Sequence, residues 1–192
     1  ILIHGWFPLI VSMCIGCTSG EILKRSIDIY PSISIFQPLI NGIGGNISAV
    51  QSSRISTLLH QKTKNKNEDM RNISTFLSPI RAFFSSERDS IACRLLLLLS
   101  LIYHSLFLSI IYILHLNPYS FSIHIIIHYI LVAFIQVTIL LYLTQFIVHI
   151  LWKYRIDPDS SSIPLLTSIG DLIGITLLFF SFSILNISFP FI

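Results

Sequence analysis

Long apolar runs separated by shorter polar links dominate this sequence. A helix that crosses a bilayer needs about 20 apolar residues, because the hydrocarbon layer is roughly 30 Å thick and a helix rises ~1.5 Å per residue. Four or five segments approach this length, and we predict five spans at residues 1–17, 33–59, 91–116, 121–152 and 163–187. The pattern therefore predicts an all-α integral membrane protein, with residues 1–192 forming a single transmembrane domain.

The second predicted span contains residues that interrupt helices. Pro38 and a run of glycines around Gly45 lie within an otherwise apolar stretch. Broken backbone at membrane depth is tolerated only inside protein or beside water, where its carbonyl groups can face an ion. We therefore predict a broken second helix whose carbonyl groups line an ion path together with the amides of Asn41, Asn46 and Gln51. A packing kink is the alternative.

One long polar stretch, residues 60–90, lies between the second and third spans and carries ten charged residues. We predict a loop with one interfacial helix around residues 78–84. Lys and Arg are retained on the cytoplasmic side of membrane proteins. This loop holds six of them and the link between the fourth and fifth spans holds two, against only Lys24 and Arg25 on the opposite side. The loop is therefore predicted to face the cytosol.

Composition agrees with a membrane protein and excludes several other classes. Hydrophobic residues make up 53% of the chain and charged residues 11%, whereas about a quarter of the residues in a soluble domain are charged. The net charge of +3 is too small to favour nucleic-acid binding. The three cysteines lie in or beside apolar runs, which predicts neither a disulfide framework nor a zinc finger.

Asp171 is the one charged residue that falls deep inside a predicted span. It lies ~12 Å along the fifth helix from Ile163, where an ionised carboxylate costs at least ~2.5 kcal/mol. Ionisable groups inside a membrane mark ion or proton paths more often than not. We therefore predict that Asp171 is the main ion-binding residue. The alternative is a protonated Asp171 that hydrogen-bonds a neighbouring helix.

Small and polar residues share the helical face of Asp171. Positions three and four residues apart lie on one face, and this face includes Thr167, Gly170 and Gly174. The GxxxG spacing of the two glycines allows another helix or an ion to approach closely. We predict that this face lines the path together with Gln51 and Gly45 of the second span.

The oxygen-rich character of these residues favours Mg²⁺ as the ion. Mg²⁺ prefers hard oxygen ligands and keeps several of its waters, so one or two carboxylates with amide and carbonyl oxygens suffice. We therefore predict that Asp171, Asn46 and Asn41 are its metal-binding residues.

Two segments carry a resemblance to a known family: GIGGNISAVQSSRIST, followed by DPDSSSIPLLTSIGDLIGITLL. They resemble solute carrier family 41, eukaryotic relatives of the bacterial MgtE-type magnesium transporters, over nearly the whole chain. The resemblance implies a five-helix MgtE-like bundle that is one half, most similar to the second, of a longer two-repeat protein. It also implies a Mg²⁺ path between two halves, with an acidic residue from each fifth helix. Asp171 matches that acidic residue, and Asn46 matches the asparagine of the GGN motif.

The leading prediction is a Mg²⁺ transporter, not an enzyme, in a multi-pass arrangement in the plasma membrane. Its partners would be the bilayer and either the missing first repeat or a second copy of this half. A transport-incompetent partner half is the main alternative, because a single half has one such Asp. His124 and His128, one turn apart, could chelate Zn²⁺ in a zinc transporter. An intramembrane aspartyl protease would use Asp171, but Ser168 replaces the first glycine of its motif and no other span contains an Asp.

Overall fold

The structure is a computed structural model that describes residues 2–66, 83–84, 88–114 and 123–188. Within these ranges the chain is helical throughout its long elements and has no strand, which confirms the predicted all-α class. The predicted interfacial helix at 78–84 lies outside the described residues except for Phe83 and Phe84, which are helical. Five long helices are described: α1 (Leu2–Ile29), α2 (Ile33–Lys66), α3 (Arg88–Ile113), α4 (Ile123–Lys153) and α5 (Pro158–Ser188).

Four of these helices are long and apolar enough to cross a membrane. They contain the segments Trp6–Ile29, Ser90–Ile113, Ile123–Lys153 and Pro158–Leu185. The chain is therefore an integral multi-pass membrane protein. Helix α2 is longer than the other four but carries amides, serines and charged residues. It packs against α3, α4 and α5, so much of this polarity is covered by protein.

Helix α2 is continuous, and the prediction that it is broken is wrong. It runs from Ile33 to Lys66 through Pro38 and the glycine-rich segment. Pro38 lies in the second turn, where its missing N–H removes one backbone hydrogen bond without ending the helix. No glycine in the described chain has a positive φ. The glycines of α2 therefore give neighbouring helices room to approach instead of opening the backbone.

Three helices extend further than predicted. Helix α1 continues to Ile29 through the polar turn after Cys17, where Arg25 and Glu21 form an i, i+4 ion pair of 2.9 Å. Helix α2 includes the first seven residues of the predicted loop, 60–66. Helix α5 begins at Pro158 because proline suits the first helical position.

Helices α2, α4 and α5 form the centre of the bundle, α3 covers α2 and α4, and α1 lies against α5. Aromatic rings join the three central helices: Phe36 lies 5.1 Å from Tyr129 and 6.0 Å from Phe182 between ring centroids. Helix α1 is fixed by a hydrogen bond of 2.8 Å from the Ser12 hydroxyl to the carbonyl oxygen of Pro164. The contact between α2 and α5 brings the two predicted parts of the ion site together.

Candidate ion site between helices α2 and α5

Helices α2 and α5 are antiparallel and meet at small residues. The Cγ2 atom of Thr167 lies 3.4 Å from the position that a Cβ would occupy on Gly45. Further along, the Oδ1 atom of Asn41 lies 2.5 Å from the corresponding position on Gly174. Residues 41 to 45 of α2 therefore run in the opposite direction to residues 167 to 174 of α5.

Asp171 lies between these two contacts. It is one turn beyond Thr167 and one turn before Gly174, so it is level with the α2 segment between Asn41 and Gly45. It is also ~20 Å from the start of α5, a helix of 31 residues. Its side chain is half-buried and has no hydrogen bond or ion pair with any residue that the structure describes. The fold thus places an unpaired carboxylate midway along a largely apolar helix.

Asn46 lies on the exposed side of α2. It belongs to a row of exposed residues at intervals of three or four, which we call the α2 stripe. An open groove of about 470 Å³ runs along the C-terminal part of the stripe and is lined in part by Ser53 and Thr57. No other helix in the described part of the chain covers this row. The members of the α2 stripe are Gly42, Asn46, Val50, Ser53 and Thr57.

Asn41 and Gly45 face the inside of the bundle, not the α2 stripe. Asn41 is only 9% exposed, and its Oδ1 atom accepts no hydrogen bond from the described residues. Gly45 is buried beneath Thr167. The two predicted metal-site amides, Asn41 and Asn46, therefore point to different sides of α2.

Gln51 lies in a separate buried cluster between α2, α3 and α4. Its Nε2 atom is 3.2 Å from the sulfur of Cys93, and its Oε1 atom accepts a hydrogen bond of 2.9 Å from Arg54. Gln145 of α4 donates to the same sulfur at 3.0 Å. The structure therefore does not bring Gln51 to Asp171, although both were predicted to line one path.

Gln136 of α4 is a residue of this region that the sequence analysis missed. It is fully buried, and its Nε2 atom donates a hydrogen bond of 3.0 Å to the carbonyl oxygen of Gly170. Its Oε1 atom accepts no hydrogen bond from the described residues. The sequence did contain a signal for this residue, namely a polar amide in the middle of an apolar helix. The residues that meet around this amide are Asn41, Gly44, Gly170 and Gly174.

The described residues contain no group of three His, Cys, Asp or Glu side chains that could hold a metal ion. The Nδ1 atom of His128 lies 2.8 Å from the carbonyl oxygen of His124, a contact within α4. Asp171 is level with the α2 segment that carries Asn41 and Asn46. Carboxylate and amide oxygens are ligands that suit a hard cation that keeps part of its water shell.

The family model and the similar proteins point to the same family. The MgtE family model, described as a divalent cation transporter, matches residues 37–181. Rat solute carrier family 41 member 3 is 36% identical over 180 residues, which cover 93% of this chain and 39% of the relative. Human solute carrier family 41 member 2 is 38% identical over 187 residues, covering 96% of this chain and 32% of the relative.

The chain thus spans about a third to two-fifths of the length of these relatives. No solved structure matches it at a significant level. The relatives are named as solute carriers, a kind of protein distinct from enzymes. The matched segment includes nearly all of α2, the whole of α3 and α4, and α5 as far as Ser181, and so contains both walls of the candidate site. The chain belongs to the MgtE family of divalent cation transporters, and its relatives are members of solute carrier family 41.

Proposed function

We propose that this chain is one half of a Mg²⁺ transporter whose ion path runs along α2 and α5, with Asp171 as the main ion-binding residue. The observation that carries the proposal is the half-buried carboxylate of Asp171, which has no partner among the described residues and lies beside the glycine-rich segment of α2. A charge in this position costs at least ~2.5 kcal/mol unless a partner compensates it. A transported divalent cation is such a partner.

Helical geometry supports a path on the side of the α2 stripe. Around α5, Gly170 faces Leu140 of α4, and Thr167 faces α2. Asp171 follows Thr167 by four residues, a rotation of about 40° further away from α4. On α2, the same direction leads from Gly45 toward the exposed residue Asn46. We propose that Asp171 and Asn46 open toward the same space.

The ion in this space would be hydrated. Mg²⁺ loses its waters reluctantly and is usually held by one or two carboxylates together with retained waters. The carboxylate of Asp171 would bind the ion directly or through water, and the amide oxygen of Asn46 would accept hydrogen bonds from the ion's waters. Asn41 is buried behind this face. We propose that it supports the same segment of α2 from inside the bundle.

A second half would complete the site. The described helices supply a single carboxylate at this depth, and no described residue covers the α2 stripe. The relatives are more than twice as long as the matched segment. We propose that the missing repeat of a longer protein, or a second copy of this half, covers the stripe and adds its own acidic residue.

The test is Mg²⁺ uptake by magnesium-auxotrophic cells that express the longest available form, as wild type and as Asp171→Asn, at matched surface amounts. Detection at the surface also tests our proposal that the protein resides in the plasma membrane. Wild type should support uptake, and Asp171→Asn should remove most of it. Equal uptake by the two forms would contradict the role of Asp171.

A transport-incompetent partner half is the second candidate, and the single acidic residue favours it. This candidate predicts no Mg²⁺ flux when the purified chain, alone or self-associated, is placed in liposomes. Flux under those conditions would eliminate it. We propose no enzyme activity, because the relatives are solute carriers and Ser168 stands where an aspartyl protease motif requires glycine.

A further inference from the structure

We propose that Gln136 is a positioning residue, which sets the spacing between α2 and α5 beside Asp171 and thereby the affinity of the site for its ion. This inference rests on the proposed function of Asp171. Gln136 lies on α4, a helix that the proposed path does not otherwise use. Its side chain reaches both helices that form the path.

The first support is a hydrogen bond to the backbone next to the carboxylate. The Nε2 atom of Gln136 lies 3.0 Å from the carbonyl oxygen of Gly170, the residue that precedes Asp171. A carbonyl oxygen has two lone pairs, so it can accept this bond in addition to one within its own helix. The bond holds the backbone of α5 at this point against α4.

The second support is the close fit of the Gln136 amide between two glycines. A Cβ on Gly44 would lie 3.0 Å from both terminal atoms of the Gln136 amide, and a Cβ on Gly174 would lie 2.7 Å from its Nε2 atom. A side chain at either position would force the Gln136 amide to move. The amide therefore acts as a spacer between the two helices, and a change in its size or length would alter their separation.

Gln136 acts from behind the proposed ion path. Its side chain is fully buried, and it lies on the Gly170 side of α5, whereas Asp171 is rotated away from α4. Any effect on the ion must pass through the backbone of α5 or α2. Substitution of Gln136 should therefore change the affinity for the ion, and it should have little effect on the amount of folded protein.

Gln145 provides a matched control on the same helix. It is also a buried glutamine, 5% exposed, and its Nε2 atom also donates one hydrogen bond, of 3.0 Å. The acceptor is the sulfur of Cys93 on α3, not a group on α5. Substitution of Gln145 therefore removes a buried amide of α4 without loosening the backbone beside Asp171.

The experiment compares Gln136→Met with Gln145→Met in the longest available form, using the Mg²⁺ concentration dependence of uptake at matched membrane amounts. Loss of one buried hydrogen bond corresponds to a change of about 3- to 10-fold in an equilibrium constant. We expect Gln136→Met to raise the Mg²⁺ concentration for half-maximal uptake by up to that factor, because only the part of the bond energy that differs between the ion-bound and ion-free states changes the affinity. Gln145→Met should leave it close to the wild-type value, because its hydrogen bond is made to α3 and not to the backbone beside Asp171. Equal effects of the two substitutions, or no effect of Gln136→Met, would overturn the inference.

A milder pair of variants covers the case in which Gln136→Met fails to reach the membrane. Gln136→Asn keeps the amide but is one methylene too short to reach Gly170, and Gln145→Asn is its control. The same difference in half-maximal concentration is expected between them. If the two Asn variants behave alike, the inference is wrong.

Asp171→Asn, measured in parallel, separates this inference from the proposed function. If Asp171→Asn transports like wild type, the role of Asp171 fails, and the inference built on it fails too. If Asp171→Asn loses uptake while Gln136→Met matches Gln145→Met, only the positioning role of Gln136 is refuted.

Discussion

The side-chain amide of Gln136 donates a hydrogen bond of 3.0 Å to the backbone carbonyl of Gly170. This bond links α4 to the residue next to Asp171, the only acidic side chain in the middle of a described helix. It also explains why glycines cluster at this level of α2 and α5, since the amide occupies the space that their missing side chains leave. In the proposed site, Asn46 belongs to the outer face and α4 provides the inner support.

Gly174→Ala should destabilise the bundle, because the new Cβ would lie 2.5 Å from the Oδ1 atom of Asn41 and 2.7 Å from the Nε2 atom of Gln136. Overpacking of this kind typically costs about 1–3 kcal/mol. The measurement is the unfolding midpoint of the purified protein in detergent. Gly20→Ala is the control, because no atom lies within 4 Å of its Cβ position, and it should leave the midpoint unchanged or raise it slightly.

Asn46→Ala should reduce Mg²⁺ uptake with little effect on stability. The side chain is exposed on α2 and makes no hydrogen bond with the described residues, so its loss leaves no buried group unpaired. Uptake and the unfolding midpoint are measured on the same preparations. Ser109→Ala serves as the control, because this exposed serine bonds only within α3. Similar uptake by the two variants would argue against a role for Asn46 in the path.

Tyr129→Phe should destabilise the contact between α3 and α4. The Tyr129 hydroxyl lies 2.7 Å from the Nδ1 atom of His104, which is fully buried, and the Nε2 atom of that ring has no partner among the described residues. The substitution leaves the imidazole without this bond, at a cost of about 1–3 kcal/mol. Unfolding in detergent measures the loss, and Tyr103→Phe, at an exposed site on α3, should cost little.

A second substitution identifies the cause of that loss. Adding His104→Leu to Tyr129→Phe removes both polar partners, which is far less costly than removing one. The double variant should therefore be more stable than Tyr129→Phe alone. A double variant that is less stable would show that ring packing, not the hydrogen bond, is the main contribution.

Residues at the C-terminal end of α2 and in the link between α4 and α5 should lie on one side of the membrane. The Nε2 atom of His60 is 3.6 Å from a carboxylate oxygen of Asp157, and the His60 ring lies 4.7 Å from that of Trp152. The distribution of Lys and Arg predicts that this side is the cytosol. His60→Cys and Tyr154→Cys should therefore react with an impermeant thiol reagent only after cells are permeabilised. Labelling of both in intact cells, above the background of the parent protein, would reverse the predicted orientation, and labelling of only one would contradict their placement on one side.

The sequence predicted much of the fold because its signals are local. The length and hydrophobicity of each run are sufficient to indicate a membrane helix, and the isolated position of Asp171 is visible without any structure. The predicted ends of the helices were less accurate. Helix α1 passes through the polar turn at Arg25, and α5 starts at Pro158, because ion pairing and the preference of proline for a first turn extended both helices.

The glycines of α2 led to a wrong prediction of local structure, because the role of a glycine depends on which residue of a neighbouring helix lies opposite it. A glycine inside an apolar helix can break it or let another helix approach, and the sequence around Gly44 is compatible with both. The structure shows the second case, in which Gly44 makes room for Gln136. Gln51 is similar, because its amide could have faced either an ion path or Cys93.

The sequence by itself determined the membrane class, the apolar spans and the presence of one carboxylate at membrane depth. The tertiary structure decided which faces meet: α2 against α5, Asn41 turned inward and Asn46 outward, and Gln136 beside Gly170. The physical reason is the range of the interactions. Membrane insertion depends on the hydrophobicity of each segment alone, whereas helix association depends on packing and hydrogen bonds between residues far apart in the chain.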